Sequence, residues 1–185
     1  MNFIQCYTPT NDSNDDIKDQ SYERLQSIIE KCSRKELTIL MGDLNAKVGI
    51  DNTGYEDIMG RHGLGERNEN GERFANLCAF NKLVIGGTIF PHKRMHKATW
   101  TSSDRTIENK IDHICINKKF PRTIKDVRTG SDKASDHHLV VANLKLKLKK
   151  NWTTGQTALQ RFNTALLRDT DKLNEFKINL KNRFQ

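Results

Sequence analysis

The sequence predicts an α/β fold, and within that class an α/β sandwich. Two observations favour it. Apolar runs of strand length alternate along the chain with amphipathic helical patterns, which is typical of mixed α/β proteins. The connections between them are mostly too irregular for a doubly wound parallel sheet. A length of 185 residues suits one domain, or one domain with an appendage.

The elements are predicted from hydrophobic spacing and from turn residues. The first helix is expected from about Asp16 to Ser33, because Tyr22, Leu25 and Ile29 recur at helical spacing. A second helix, marked by Phe74, is expected to end near Asn81. The predicted strands are "FIQCYTP", "LTILMG", "LVIGGTIF", "KATWTS", "KIDHICI" and "SDHHLVVANLKLKLKK", of which the last alternates leucine with lysine.

The chain is expected to divide near residue 150. Residues 1–150 hold all of these elements. Residues 151–185 begin with the linker-like "NWTTGQTA" and continue into an amphipathic helical pattern marked by Leu173, Phe176, Leu180 and Phe184. The apolar face of that helix predicts a partner, either this domain or a further one.

Charge is unevenly distributed along the chain. Residues 1–60 contain 6 basic and 11 acidic residues, whereas residues 61–150 contain 19 basic and 9 acidic ones. The whole chain carries a net charge of +8. A basic region beside an acidic motif favours a polyanionic substrate such as nucleic acid, although a basic solvated surface is a common alternative.

The sequence favours an intracellular protein, nuclear or cytoplasmic, that does not interact with membranes. No apolar run approaches the ~20 residues that span a bilayer, and "MNFIQCYTPT" lacks the features of a secretory signal. The four cysteines are widely spaced within apolar segments, which is typical of buried thiols in a reducing compartment.

Polar residues at the end of the strand "LTILMG" are the first candidate site. Asp43 and Asn45 are two positions apart, so on a strand their side chains point to the same face. The aspartate would accept a proton from water, and the amide would orient that water or a phosphate oxygen. The alternative is an Asp-x-Asn turn that only caps the strand.

Two later strands also carry polar groups. Asp112 lies within "KIDHICI", where a carboxylate is costly unless it is paired or close to a metal ion. Asp136 and His137 open the strand "SDHHLVV". Structural ion pairs and capping residues are the alternatives at both places. Carboxylates that converge from several strands suit a hard cation, Mg²⁺ or Mn²⁺.

Other patterns point away from other chemistries. His92 and His96 are four residues apart, but Pro91 and the strand that follows argue against a helical zinc pair. The sequence contains no GxSxG elbow and no P-loop.

Five motifs, in this order, resemble the endonuclease/exonuclease/phosphatase superfamily. They are "YTP" at Tyr7, "GDLN" at Asp43 and Asn45, "ATWTS" at Trp100, "KIDHI" at Asp112, and "SDHH" at Asp136 and His137. Three sequence segments are most similar to the endonuclease domains of RTE-like non-LTR retrotransposons. They are "MGDLNAKVG", "HGLGERNENGERFANLC" and "IDHICI". The tail after residue 150 resembles a connector toward a reverse transcriptase.

The resemblance implies a four-layer α/β sandwich and a metal-dependent endonuclease that nicks DNA during retrotransposition. It implies that Asp43 is the general base or a water-positioning carboxylate, that Asn45 orients water and phosphate, and that Tyr7 contacts the phosphate. It further implies that Asp136 lies at the metal site and that His137, held by Asp112, binds the scissile phosphate. Contacts with nucleic acid are expected from a loop and from the "ATWTS" strand, at Arg61, Arg67, Asn68, Arg73 and Trp100. For the loop, a plain surface loop is the alternative.

One departure from the family pattern is large. The family places an Asn and a metal-binding Glu on strands that precede the Tyr-x-Pro motif, whereas only six residues precede Tyr7 here and none is Glu. The resemblance therefore implies a partial sandwich whose first half is missing. Two alternatives follow: a truncated fragment with impaired catalysis that binds nucleic acid weakly, and a phosphatase of the same superfamily.

Overall fold

The computed structural model describes residues 1–120, 122–130 and 135–146, together with Thr170, Asp171 and Asn174. Those last three residues are helical and exposed. The rest of the predicted C-terminal helix and linker lies outside the described residues. Among the described helices, none has the length and apolarity needed to cross a membrane.

One helix precedes the second strand and another follows it. Helix α1 (Asp15–Glu30) begins after Asn14, whose side chain accepts a hydrogen bond from the Asp16 amide, and it buries Tyr22, Leu25 and Ile29. It ends three residues before the predicted end, because the Cys32 amide bonds to the Ile29 carbonyl in a tighter turn. Helix α2 spans Glu69–Asn81 and ends where predicted.

A four-stranded sheet forms the centre of the molecule, in the order β1-β2-β6-β3. Strand β1 (Asn2–Tyr7) is parallel to β2 (Thr38–Asp43), and helix α1 makes the crossover between them. Strand β6 (Asp112–Asn117) is antiparallel to β2 and to β3 (Leu83–Ile85). The end of β2 therefore meets the start of β6.

Two smaller sheets complete the described fold. Strand β4 (Trp100–Thr101) pairs with β5 (Glu108–Asn109) in a short ribbon, and β7 (Ile124–Thr129) pairs antiparallel with β8 (Val140–Leu144).

Three predicted strands were wrong in extent. "KATWTS" forms β4 only at Trp100–Thr101, and "SDHHLVV" joins β8 only from Val140. "LVIGGTIF" forms β3 only as far as Ile85, because Gly86–Thr88 turn into a 3₁₀ helix. The leucine–lysine strand ends at Leu144, since its partner β7 begins at Ile124, directly opposite. Residues 147–150 of that prediction lie outside the described residues.

The described elements make three layers. Helices α1 and α2 pack on one face of the central sheet through a core that includes Leu25, Leu40, Phe74 and Cys115. Strands β7 and β8 pack on the other face, where Ile116 meets Val127. The α/β prediction is confirmed. Of the four layers that the resemblance implies, three are present within the described ranges.

Gly42 is required where β2 approaches β1. Its φ is +152°, and a Cβ atom there would lie 1.8 Å from the Cys6 carbonyl oxygen.

We expect Gly42→Ala to lower the free energy of unfolding by roughly 3 kcal/mol or more, because neighbouring backbone must move. Gly54→Ala is the matched control, since Gly54 has φ +81° and open space around it. Urea unfolding that gives equal losses for both variants would contradict this.

His113 lies on the helix-facing side of β6, beside the Phe74 ring. Its Nε2 donates to the Ala46 carbonyl at 2.7 Å. Burial lowers the pKa of His113 from 6.5 to about 4, so the folded state keeps the ring neutral where the unfolded chain binds a proton. Stability contributed by the neutral ring is therefore present above the unfolded pKa and is lost as pH falls from 6.5 toward 4.

The His113→Gln variant tests this, because its amide retains a donor for Ala46 but does not titrate. We expect the wild type to lose roughly 2–3 kcal/mol more unfolding free energy than the variant between about pH 7.5 and 4.5. Denaturant unfolding at the two pH values measures the difference. Parallel losses in both proteins would show that His113 does not titrate on unfolding.

Candidate active site

Two carboxylates face each other where the central strands end and begin. Asp43 is the last residue of β2 and Asp112 is the first of β6, and the two are cross-strand partners. His137 approaches the same point from the segment before β8. One ligand atom from each of these three side chains lies within 4.8 Å of the others.

His137 is held against Asp112. Its Nδ1 lies 3.2 Å from Asp112 Oδ2, and its backbone forms an isolated bridge with Trp100. The Thr101 amide donates to the Asp136 carbonyl at 2.9 Å, which fixes the same segment against the β4–β5 ribbon. Because Nδ1 is engaged, Nε2 of the ring is the nitrogen left to meet a substrate.

Asp112 is only partly accessible, and its surroundings oppose ionisation. Burial, and after it the charge of Asp43, raises the pKa of this carboxyl. Hydrogen bonds from Thr99 and the nearby His137 lower the pKa, but the net change is an increase. Thr99 Oγ1 also accepts hydrogen bonds from the Ile111 and Asp112 amides. Among the described residues, no lysine or arginine lies within 4.0 Å of Asp43 or Asp112. A cation would relieve this repulsion.

Asn45 and Tyr7 border the two carboxylates. Asn45 has a positive φ of +45°. Its backbone amide donates to Asp43 Oδ1 at 3.0 Å, and its side-chain Nδ2 donates to the Thr8 carbonyl at 2.9 Å. Asn45 therefore orients the Asp43 carboxylate, and its own Oδ1 is left for a ligand. Tyr7 ends β1 opposite Asp43 and is 68% exposed.

An open cleft of about 590 Å³ lies over this cluster. Most of the residues that line it carry a hydroxyl, amide or carboxylate group. The lining residues are Tyr7, Thr10, Asn11, Asp12, Asp43, Asn45, Lys47, Asn68, Trp100, Asn109, Ile111 and His137. Such a lining suits a polar, extended substrate better than an apolar one.

The donor set fits a divalent cation at the two carboxylates. Hard cations such as Mg²⁺ prefer oxygen ligands and complete their shell with water and substrate phosphate. Asp43 and Asp112 supply such oxygens, whereas the His137 imidazole is already hydrogen-bonded to Asp112.

Asp136, the residue predicted at the metal site, does not belong to this three-residue cluster. Its Oδ1 accepts the His137 amide at 3.1 Å, and the residue is exposed. Burial acts to raise the pKa of Asp136. Hydrogen bonds from the backbone amides of Asp136 and His137, the charge of His137 and a hydrogen bond from the Trp100 side chain outweigh it, so the pKa is lowered overall. The position of Asp136 favours a role in shaping the segment that carries His137.

The predicted nucleic-acid contacts occupy different surroundings. Arg67 bonds to the Val48 and Asp51 carbonyls and to Glu72, and it stacks on Tyr55.

Arg73 pairs with Asp15, Asp19 and Glu69, which ties α2 to α1. Both of these guanidinium groups are therefore engaged within the fold. Arg61 is exposed, and Asn68 and Trp100 line the cleft.

The histidines that were considered for zinc bind β7 instead. His92 Nε2 lies 2.6 Å from Asp126 Oδ1, and His96 Nδ1 lies 3.3 Å from the Thr129 carbonyl oxygen. Within the described residues, neither histidine belongs to a cluster that would hold a metal ion.

Sequence reasoning missed two residues of the site. Thr99 bonds to both the backbone amide and the carboxyl of Asp112 and to the Ile111 amide, and Lys47 lines the cleft. Both had a signal in the sequence. Thr99 immediately precedes Trp100 in "ATWTS", and Lys47 lies two positions after Asn45.

No protein-family model matches the chain. Two curated proteins resemble it over 151 residues, which is 80% of its length. They are Craniofacial development protein 2 from Tragulus javanicus, at 35% identity, and from Bos taurus, at 36%. The match covers 26% and 25% of those proteins, so the chain spans about a quarter of their length.

Solved structures share its architecture. The 3′-5′ exonuclease NExo from Neisseria meningitidis superposes with a TM-score of 0.57 at 21% identity, over 78% of this chain and 61% of that one. The chain has the endonuclease/exonuclease/phosphatase fold. The endonuclease domain of TRAS1, a telomere-specific non-LTR retrotransposon, gives 0.54 at 18% identity, over 77% and 57% of the two chains.

A third structure with this fold is an endonuclease/exonuclease/phosphatase family protein from Leptotrichia buccalis. It superposes with a TM-score of 0.50 at 17% identity and covers 78% of this chain and 48% of that one. The resemblance drawn from the five motifs is therefore confirmed at the level of fold.

Proposed function

We propose that this endonuclease/exonuclease/phosphatase fold hydrolyses phosphodiester bonds in nucleic acid with the help of a divalent cation, as an endonuclease that nicks DNA. One observation carries the proposal: Asp43, Asp112 and His137 converge within 4.8 Å of one another, and Asp43 and His137 line an open cleft. Within the described part of the chain the two carboxylates have no lysine or arginine partner, which suits a cation, and the adjacent imidazole suits a phosphate.

His137 and Asp112 act as a pair in this proposal. Asp112 accepts from Nδ1 of His137, which fixes the ring orientation and directs Nε2 away from Asp112. Nε2 then donates to a nonbridging oxygen of the scissile phosphate and stabilises the negative charge that develops there. Thr99 holds Asp112 in place for this contact.

Asp43 and Asn45 act on the attacking water. Asp43 Oδ1 receives the Asn45 amide, and Oδ2 remains to accept a proton from water. The Asn45 side chain, anchored through Nδ2 to Thr8, presents its oxygen to orient that water. Tyr7, exposed at the end of β1, contacts the phosphate from the other side of the cleft.

The carboxylates of Asp43 and Asp112 would hold the cation, Mg²⁺ or Mn²⁺. When bound, such an ion stabilises charge on the phosphate and on the leaving oxygen.

The proposed setting is retrotransposition. It is supported by the five ordered motifs and by the likeness to the TRAS1 endonuclease domain, which belongs to a non-LTR retrotransposon. In this setting residues 151–185 connect the domain with a downstream reverse transcriptase region, and DNA is the substrate. Co-purification of a reverse transcriptase region with the full chain, and its loss on deletion of residues 151–185, would test the connection.

A substrate panel tests the proposed reaction. Supercoiled plasmid and a chromogenic phosphomonoester are each incubated with the wild-type chain in Mg²⁺ and after chelation. We expect plasmid nicking that needs Mg²⁺ and little monoester turnover. Turnover of the monoester alone would identify a phosphatase. Salt-sensitive DNA binding without any cleavage would identify a binding fragment.

A further inference from the structure

Among the described residues that line the cleft, Lys47 is the one lysine or arginine. Its backbone is fixed on both sides by Asn68. The Lys47 amide donates to Asn68 Oδ1 at 2.9 Å, and the Asn68 amide donates to the Lys47 carbonyl at 3.0 Å. Asn68 also caps helix α2. The lysine stem therefore starts from a rigid point at the cleft wall.

The Lys47 amino group has no structural task within the described residues. It makes no hydrogen bond and no ion pair there, although Asp12 and Asp43 line the same cleft. Two other lysines with little exposure differ. Lys18 pairs with Asp15 and Glu69, and Lys110 donates to the Gly87 carbonyl. The Lys47 residue is half-buried and lines the cleft, so its stem is held at the wall while its amino group is left to meet an anion.

We propose that Lys47 binds a phosphate of the polynucleotide strand that flanks the scissile phosphate. This inference rests on the proposed function. The scissile group belongs over Asp43 and His137, and a polynucleotide carries a further phosphate at each neighbouring nucleotide. A lysine acts on phosphate as a flexible point charge, which suits a contact that is independent of base sequence. Lys47 thereby selects long polyanions over small phosphoesters.

Binding in chelator tests the contact without cleavage. Fluorescence anisotropy with a labelled DNA duplex gives the slope of log affinity against log salt. We expect Lys47→Met to reduce the magnitude of that slope by about 0.9, the value for one phosphate contact, and Lys47→Arg to preserve it.

Lys35→Met is the matched control, because Lys35 is exposed in the loop before β2, at the other end of that strand from Asp43. An unchanged slope in Lys47→Met, or an equal change in Lys35→Met, would overturn the proposal.

Kinetics give an independent readout. In Mg²⁺ we expect Lys47→Met to raise KM for DNA several-fold, and to lose much less kcat/KM on bis(p-nitrophenyl) phosphate, which has no flanking phosphate, than on DNA. Equal slowing on both substrates would place Lys47 at the scissile phosphate and overturn the proposal. A wild-type chain that cleaves neither substrate refutes the proposed function, while the salt slope still decides whether Lys47 contacts phosphate.

Discussion

An Asp43→Asn variant is expected to lose phosphodiester cleavage by about a thousandfold or more while retaining its fold. The substitution keeps an oxygen to accept the Asn45 amide, so the local hydrogen bond survives. It removes the negative charge that would accept a proton and that would help to hold a cation. It also removes the repulsion between Asp43 and Asp112, so the free energy of unfolding should not fall.

The rate of supercoiled plasmid nicking in Mg²⁺, measured on matched preparations, checks this expectation. Asp57→Asn is the control, because the Asp57 side chain is 87% exposed and pairs with Lys118 outside the cleft. Nicking by Asp43→Asn at the wild-type rate would mean that a contaminant, or another site, cuts the plasmid.

The Asp112→Asn variant is expected to lower kcat by roughly 10²- to 10⁴-fold. Asn at this position can still accept from His137 Nδ1, but its neutral oxygen makes a weaker hydrogen bond than a carboxylate does. It also supplies a weaker ligand to a cation. Because the wild-type carboxylate is partly buried beside another one, the cation-free variant should be as stable as the wild type or more so.

Two measurements separate these effects. Steady-state rates on DNA give the loss in kcat, and thermal unfolding with and without Mn²⁺ gives the stabilisation by the cation. We expect the cation to raise Tm of the wild type and to have a much smaller effect on Asp112→Asn. A variant with normal kcat and an unchanged response to Mn²⁺ would show that Asp112 serves the fold alone.

The sequence was most informative where one face of an element is buried. The apolar run before Asp43 predicted β2, and the helical spacing of Tyr22, Leu25 and Ile29 predicted α1. Polar residues at the ends of such buried runs stood out, which is why Asp43 and Asp112 were candidates. The α/β class followed from the same patterns.

Long-range pairing was beyond the reach of sequence patterns. That Asp43 and Asp112 are cross-strand partners depends on the register of two strands 69 positions apart in sequence. Strands β5 and β7 were missed, because β5 has only two residues and β7 alternates with charged side chains.

The sequence also could not predict which partners the charged side chains contact. The sequence around Arg67 and Arg73 is basic and loop-like, yet both arginines pair with acidic side chains of the same fold. Those partners come from α1 and from the first turns of α2, which only the tertiary fold brings near. Composition alone treats these arginines as free surface charge.

The central claim is that Asp43 and Asp112 together hold a divalent cation beside His137. Anomalous scattering from a crystal of the chain grown with Mn²⁺ measures this most directly. We predict one strong peak within ligand distance of both carboxylates, at about 2–2.5 Å, and no such peak in Asp43→Asn. A peak elsewhere in the wild type, with none between these two carboxylates, would contradict the claim.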